Sequence, residues 1–270
     1  MPPRRLSALA VALCAAGAAA EPPPTAVIVN LNHSRQLGAA SGPSFLSFPK
    51  DTIPQAGRWL GLYCEKSACE VREADLAVMG GTIANCDGQQ NFAESVYAFD
   101  NPVALFHGVN LPLGKVTTSL LATKAPAASR HYGDLRRAGQ WQVKLNGKPF
   151  DILWLRMEQP KAPDQYLYRF YLSDGKTKQF IFSTSGPKAA GANGIVAPFV
   201  HWAGDLDWDG RLDLLVEIPY GLDDAADAQC QVSYRLYLSS QAQEGEVAHK
   251  AAQTSGVQPA CACRKGRERN

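Results

Sequence analysis

The stretch DLDWDGRLDLLVEI, residues 205–218, decides the fold and the candidate site. Aspartates stand at positions 1, 3, 5 and 9 of its first nine residues, and a glycine stands at position 6. A hard dication takes about six to eight oxygen ligands, and alternate carboxylates on a tight loop converge in this way. Gly210 permits the sharp turn because it lacks the Cβ that resists positive φ. The apolar run at 214–218 has the length and composition of a strand, so the sequence predicts a calcium loop that leads into a β-strand.

The predicted ligands are the carboxylates of Asp205, Asp207, Asp209 and Asp213 and the main-chain carbonyl of Arg211. Position 7 of such loops offers only a carbonyl, which leaves the Arg211 side chain unconstrained. An EF-hand is disfavoured because the twelfth position holds a valine instead of the bidentate glutamate. The alternative is an acidic turn that binds nothing, but four unpartnered aspartates so close together would repel one another.

The segment 204–214 resembles the D-x-D-x-D-G-x-x-D loops of FG-GAP (integrin α-subunit-like) repeats and of related repeats in bacterial secreted proteins. The resemblance implies calcium ligation and a buried strand directly after the loop. It covers about a dozen residues, and it departs from the family at Trp208, where a small residue, usually glycine, is common. The loop occurs once in the chain, so the sequence does not predict a full propeller of such units.

Composition and charge exclude some partners. The chain has 270 residues, of which 46% are hydrophobic, enough for one large domain or two small ones. Two of its 27 basic residues, Arg4 and Arg5, lie in the first 20 positions, which leaves 25 basic and 25 acidic residues in the remainder. A nearly neutral chain gives no electrostatic reason to expect nucleic acid or an acidic membrane as a general partner.

Residues 1–20 are typical of a signal peptide. They combine a positive start, a short apolar stretch and small residues before the segment EPPP at 21–24. No later segment has the ~18 uncharged apolar residues of a transmembrane helix. We therefore expect an exported, soluble protein of the periplasm or the extracellular space. The alternative is a lipid-anchored envelope protein with Cys14 as its lipidated residue, although Leu13 stands where a lipobox requires a small residue.

Six cysteines follow the leader, and an even number in an exported chain predicts disulfides. Six cysteines allow 15 pairings, and the sequence does not select among them. Cys64 and Cys69 flank four residues and could clip a hairpin tip. A zinc site is the alternative, but these spacings lack the usual C-x2-C knuckle. The six are Cys64, Cys69, Cys86, Cys230, Cys261 and Cys263.

Recurrent hairpin signals predict an all-β fold, an antiparallel sandwich or partial barrel with one calcium-loop and strand unit. The clearest are Asn146-Gly147 and Asp174-Gly175, because these pairs tolerate the positive φ of tight turns. We expect one β-rich domain over 21–250, with a division into two sub-lobes near 123–140 as the alternative. A charged tail with two cysteines follows at 251–270, and periodicity is already lost after Gln241. Short helical pieces are expected at most near 72–77 and 221–228, and the first of these overlaps a segment that also has the pattern of paired strands.

The sequence lacks the common catalytic and nucleotide-binding motifs. It has no G-x-S-x-G, no H-E-x-x-H, no P-loop and no G-x-G-x-x-G after a strand. His201 precedes the Asp loop and is the one candidate general base, with packing beside Trp202 as the favoured alternative. A second acidic group, Asp223, Asp224 and Asp227, could supply a ligand or simply solvate a loop.

These observations favour an exported, non-catalytic calcium-binding protein that has a structural or a ligand-binding role. Its partner would be a protein or a glycan that the sequence does not identify. The alternatives are a secreted hydrolase acting on carbohydrate or peptide, and the lipid-anchored envelope protein.

We predict cleavage after Ala20, because a run of small residues ends there before a proline-rich segment. Intact mass spectrometry of the exported protein should show a chain that begins at Glu21. A mature chain that begins at a lipid-modified Cys14 would contradict the prediction.

Overall fold

The computed structural model describes residues 25–29, 47–65, 68–84, 90–121, 139–187, 199–219 and 231–257. Strands form nearly all of its regular structure, and each strand pairing in these ranges is antiparallel, which confirms the predicted all-β class. The strands are β1 (Ala26–Val29), β2 (Ser47–Pro49), β3 (Trp59–Glu65), β4 (Ala68–Glu73), β5 (Leu76–Ala84), β6 (Gln90–Ala98), β7 (Ala104–His107), β8 (Gly114–Leu121), β9 (Gly139–Leu145), β10 (Lys148–Glu158), β11 (Gln165–Ser173), β12 (Lys178–Pro187), β13 (Phe199–Asp205), β14 (Asp213–Pro219), β15 (Gln231–Leu238) and β16 (His249–Val257).

Nine strands form a nearly closed sheet in the order β1-β7-β3-β4-β8-β13-β14-β15-β16. The two ends of this sheet meet, because the amide of Val27 in β1 donates a 3.0 Å hydrogen bond to Oγ1 of Thr254 in β16. Closure hides the edges of the sheet and gives it an interior filled by large apolar side chains such as Leu62, Phe106 and Trp202. Of the two predicted forms, the partial barrel describes this sheet.

Two smaller sheets adjoin the nearly closed one. Strands β2, β6 and β5 continue beyond β16 through a single residue pair, Ser47 with Val257. Strands β12, β11, β10 and β9 form a separate four-stranded sheet in that order. This sheet packs on the outer side of β13 and β14, and Gln179 of β12 ties it to the start of β16 by accepting from the amides of Val247 and Ala248.

Strand β14 is buried on both faces, and its successive side chains point alternately into two different hydrophobic cores. Leu214 and Val216 pack against the four-stranded sheet together with Trp154, while Leu215 packs inside the nearly closed sheet beside Trp202. Each of these side chains is at most 1% exposed. A strand covered on both sides needs apolar residues at consecutive positions, which explains the three consecutive apolar residues at 214–216 after the Asp loop.

The predicted hairpin turns are confirmed. Asn146 and Gly147 join β9 to β10 with φ values of 50° and 76°. Asp174 and Gly175 join β11 to β12, and Asp174 Oδ1 accepts from the amide of Thr177 at 2.7 Å. Both turns contain residues in the left-handed backbone conformation, which asparagine, aspartate and glycine adopt most readily.

Strand pairing decides one open alternative and moves one expected boundary. Near 72–77 the strand alternative is confirmed and the helical one is wrong, because the segment holds the end of β4 and the start of β5, which pair with neighbouring strands. The charged tail is expected to begin at residue 251, but β16 pairs with β15 through Val257 and buries small residues such as Ala252 and Thr254. The piece expected at 221–228 and most of the predicted division at 123–140 lie outside the described residues.

We predict that Gly204→Ala destabilises the fold by about 2–3 kcal/mol or more, because inserting atoms into a packed interior forces backbone shifts. A Cβ at this position in β13 would lie 2.1 Å from the main-chain oxygen of Thr117 and 2.6 Å from the indole of Trp202. Gly80→Ala in β5 is the matched control, since nothing lies within 4 Å of its Cβ position. Its effect should stay within about 0.5 kcal/mol. Urea unfolding of both variants measures the difference, and equal midpoints would refute the assigned close contact.

Candidate metal centre

Three carboxylates converge in the loop between β13 and β14. Oxygen atoms of Asp205, Asp207 and Asp209 all lie within 4.8 Å of one another. Asp205 is 7% exposed, Asp207 is half-buried, and the side chain of Asp209 is 19% exposed. Three like charges at this separation repel one another, and the guanidinium of Arg211, 3.2 Å from Asp209 Oδ2, offsets one of them. The remaining negative charge favours a bound cation.

The backbone of the loop turns sharply to bring these side chains together. The amide of Gly210 donates to Asp205 Oδ2 at 3.0 Å, and Gly210 has a φ of 77°. Trp208, at the position where the sequence departs from the FG-GAP pattern, has a φ of 65°, which is costly for a bulky residue. Its indole N–H donates to the main-chain oxygen of Lys115 at 3.0 Å, and its ring lies beside Gly114. This anchor on β8 offsets the backbone strain.

The other two predicted ligands occupy different positions. The side chain of Arg211 bonds Asp209 Oδ2 at 3.2 Å and also donates to the main-chain oxygen of Ser239. Asp213 is fully buried and does not belong to the group of three. Its two oxygens accept from the amides of Leu206 and Ser239 at 2.7 and 2.8 Å. Ligation by the Arg211 carbonyl and by Asp213 therefore stays a prediction.

Two carboxylate oxygens in the loop lack hydrogen-bond partners. They are Oδ1 of Asp205 and Oδ1 of Asp207, both buried at the atomic level. A buried polar atom without a partner is costly, and such atoms in folded proteins require an explanation. The site offers only oxygen donors and excess negative charge, which are the properties that a hard divalent cation requires. The residues present therefore fit such an ion.

The protonation of these carboxylates follows from burial. Burial raises the pKa of Asp213 to about 7, with the Asp207 charge adding to the effect and the hydrogen bonds from Ser239 and Leu206 opposing it. Burial also raises the pKa of Asp205, and the neighbouring charges of Asp209 and Asp207 act in the same direction, while hydrogen bonds from the main chain of Gly210 and Trp208 oppose the shift. A divalent cation would reverse this trend, because it favours the ionised form of each carboxylate nearby.

A second chain segment completes the wall of the site. The short 3-10 helix Ser239–Gln241, here named the Ser239 turn, follows β15 and faces the Asp loop. The Ser239 hydroxyl lies 2.9 and 3.0 Å from the two carboxylate oxygens of Asp209, and that of Ser240 donates to Asp207 Oδ2. Each hydroxyl has one proton, so the contacts of Ser239 are alternatives. Sequence analysis missed both serines, because 26–33 residues separate them from their partners.

His201, the remaining candidate that the structure describes, does not join this group. His201 Nε2 lies 2.8 Å from Glu217 Oε2, and both side chains are at most 1% exposed. The pair is buried in the fold, away from the solvent access that a general base requires. Asp223, Asp224 and Asp227 lie outside the described residues. Cys64 and Cys69 form a disulfide across the β3–β4 hairpin, while the other four cysteines after the leader also lie outside the described ranges.

No family model, no curated protein and no solved structure matches the chain. The function must therefore be argued from the geometry of the loop and its surroundings. Within the described ranges, no helix has both the length and the apolar character needed to cross a bilayer.

We predict that the calcium-free protein is more stable at pH 5 than at pH 8. The folded-state pKa of Asp213 is about 7, above the ordinary value of 3.8, so the folded state binds the proton more tightly. The stabilisation of the folded state by protonated Asp213 is therefore fully present below the ordinary pKa of 3.8 and is lost as the pH rises through about 7. We expect a loss of about 1–3 kcal/mol over this window.

Thermal unfolding of chelator-treated, desalted protein at pH 5, 6, 7 and 8 measures the effect. Asp213→Asn cannot titrate at this position and should lose most of the pH dependence, with a smaller part remaining from Asp205, whose pKa burial also raises. A wild-type melting temperature that rises with pH would contradict the assigned proton affinity.

Proposed function

We propose that the protein is an exported calcium-binding protein whose Asp loop binds one Ca²⁺ and thereby stabilises the fold, without catalysis. The observation that carries the proposal is the convergence of the carboxylates of Asp205, Asp207 and Asp209, in which the buried Oδ1 atoms of Asp205 and Asp207 lack a well-aligned hydrogen bond. A cation supplies both the missing partner and the missing positive charge. The loop pattern of the FG-GAP family supports the same conclusion.

Calcium suits this site better than the other common divalent ions. The group contains oxygen donors only, whereas structural zinc sites use cysteine and histidine. Magnesium demands an octahedral shell at about 2.0–2.1 Å and releases water reluctantly, which fits a crowded carboxylate loop poorly. Calcium accepts irregular arrangements of six to eight oxygens at about 2.3–2.6 Å.

The position of the loop explains how an ion would stabilise the fold. Trp208 connects the loop to the start of β8, and the side-chain amide of Asn146 in the β9–β10 turn donates to the Gly210 oxygen at 3.4 Å. The Ser239 turn contacts the loop from the end of β15. An ion that orders the loop would therefore hold together the nearly closed sheet and the four-stranded sheet.

A ligand-binding role is the second candidate function, and Trp208 favours it. The ring is fixed by its hydrogen bond to Lys115, yet the residue remains 53% exposed. Fixed, exposed aromatic residues are frequent anchors in binding surfaces. Lys115 also lines an open cleft of about 410 Å³, together with residues that include Tyr63, Arg72 and Asp100. Its partner would be a protein or a glycan.

Export is supported by two features. Residues 1–20 have the pattern of a signal peptide. The disulfide between Cys64 and Cys69 is of a kind that forms and persists in oxidising compartments. The hydrolase alternative gains no support from His201, which is 1% exposed.

We predict that calcium raises the melting temperature of the wild-type protein and that Asp207→Asn removes most of the increase. An ion that binds only the folded state adds about 1.4 kcal/mol at ten times its Kd. Each kcal/mol of stabilisation raises the melting temperature by about 2–4 °C for a chain of this size, so we expect an increase of about 3–6 °C. Differential scanning fluorimetry over 0–10 mM calcium measures the response, and magnesium should substitute poorly.

Asp164→Asn is the matched control for this experiment. Asp164 lies in the turn between β10 and β11, at the opposite end of β10 from the turn that contacts the Asp loop. The 11 residues of β10 place these ends roughly 30 Å or more apart. The control should keep the full calcium response. A wild-type melting curve that calcium leaves unchanged would refute the proposed function.

A further inference from the structure

The carboxylate of Asp213 is fully buried and lies outside the group of three converging carboxylates. Oδ2 accepts from the amide of Leu206 at 2.7 Å, and Oδ1 accepts from the amide of Ser239 at 2.8 Å. Asp205 and Asp207 each keep one buried oxygen without a partner. Both oxygens of Asp209 also accept hydrogen bonds, from Arg211 and from the Ser239 hydroxyl, but Asp209 belongs to the converging group and Asp213 does not. Position as well as hydrogen bonding therefore sets Asp213 apart.

These two hydrogen bonds meet a need that is independent of any ion. Leu206 lies just after β13 and Ser239 lies just after β15, where the sheet pairing ends. Their amides are buried donors, and Asp213 of β14 is the acceptor for both. Removing its carboxylate would leave two buried N–H groups without partners, which is costly because a buried donor cannot turn to water.

We propose that Asp213 is a positioning residue that fastens the Ser239 turn to the Asp loop, and that it is not a ligand of the cation. The site is then built from two chain segments. Asp205, Asp207 and Asp209 provide the carboxylates, and Ser239 and Ser240 hold two of these from the opposite side. The effect of Asp213 on cation affinity rests on the proposed function, whereas its effect on the calcium-free fold does not.

The contacts of the turn show how Asp213 would act on the ion through other residues. Ser239 contacts Asp209, and Ser240 donates to Asp207. Arg211 reaches from the loop to the main-chain oxygen of Ser239 and adds a further connection. Without Asp213 the turn would lose the hydrogen bond to its first amide, and two ligand carboxylates would lose their fixed orientation.

Asp213→Ala and Asp207→Ala separate the two roles. Hydrogen exchange in calcium-free buffer should show at least tenfold faster exchange at Leu206 and Ser239 in Asp213→Ala, and little change at these amides in Asp207→Ala. Calorimetric titration with calcium should show one site in the wild type and in Asp213→Ala. We expect Kd to rise by more than tenfold in Asp207→Ala and by less than tenfold in Asp213→Ala, with Asp164→Asn as the control.

Aspartate ¹³Cγ NMR supplies a direct readout of ligation. On titration with calcium, the signals of Asp205, Asp207 and Asp209 should move, while that of Asp213 should stay nearly fixed. If Asp213→Ala does not fold, Asp213→Asn replaces it, because it keeps one acceptor and should expose only one of the two amides.

Two outcomes would overturn the proposal. One is unchanged exchange at Leu206 and Ser239 in the Asp213 variant. The other is a calcium-dependent ¹³Cγ shift of Asp213 as large as those of the three predicted ligands. If the wild type binds no calcium at all, the proposed function fails, and the exchange measurement still decides whether Asp213 fastens the turn.

Discussion

Mutual repulsion among the carboxylates of the Asp loop is the constraint on which the rest of the site depends. Asp205, Asp207 and Asp209 come within 4.8 Å of one another at a corner where one of them is 7% exposed. Solvent screening is weak at such a position, so the protein has to counter the repulsion with hydrogen-bond donors, protons or a cation. The structure supplies donors from Gly210 and from the Ser239 turn, and it leaves two buried oxygens unpartnered.

The loop tolerates this cost because it joins two strands with little freedom to move. Strand β14 is buried on both faces, and Gly204 at the end of β13 packs so closely against Thr117 that a single methyl group would clash. The turn between these strands is therefore fixed by the two cores on either side of it. Packing energy spread over many apolar contacts holds a strained loop in place.

Local patterns predicted the Asp loop, the buried strand after it and the Asn146-Gly147 and Asp174-Gly175 turns, because each depends on residues adjacent in sequence. The order of strands was not predictable in this way, since β7 lies between β1 and β3 and β8 lies between β4 and β13. Strand β16 escaped prediction because it buries alanine and threonine, which carry little hydrophobic signal. Ser239 escaped because a serine acquires its role here only through long-range contact.

Trp208 fixes the Asp loop to a neighbouring strand at the cost of backbone strain. A glycine at this position would adopt a positive φ without strain, but it would give the loop no hold on the neighbouring strand. The tryptophan adopts a φ of 65° and gains a hydrogen bond to Lys115 together with packing beside Gly114, whose lack of a side chain makes room for the ring. The loop lies at the corner of a nearly closed sheet, and β8, the β9–β10 turn and the Ser239 turn each hold it there through a hydrogen bond.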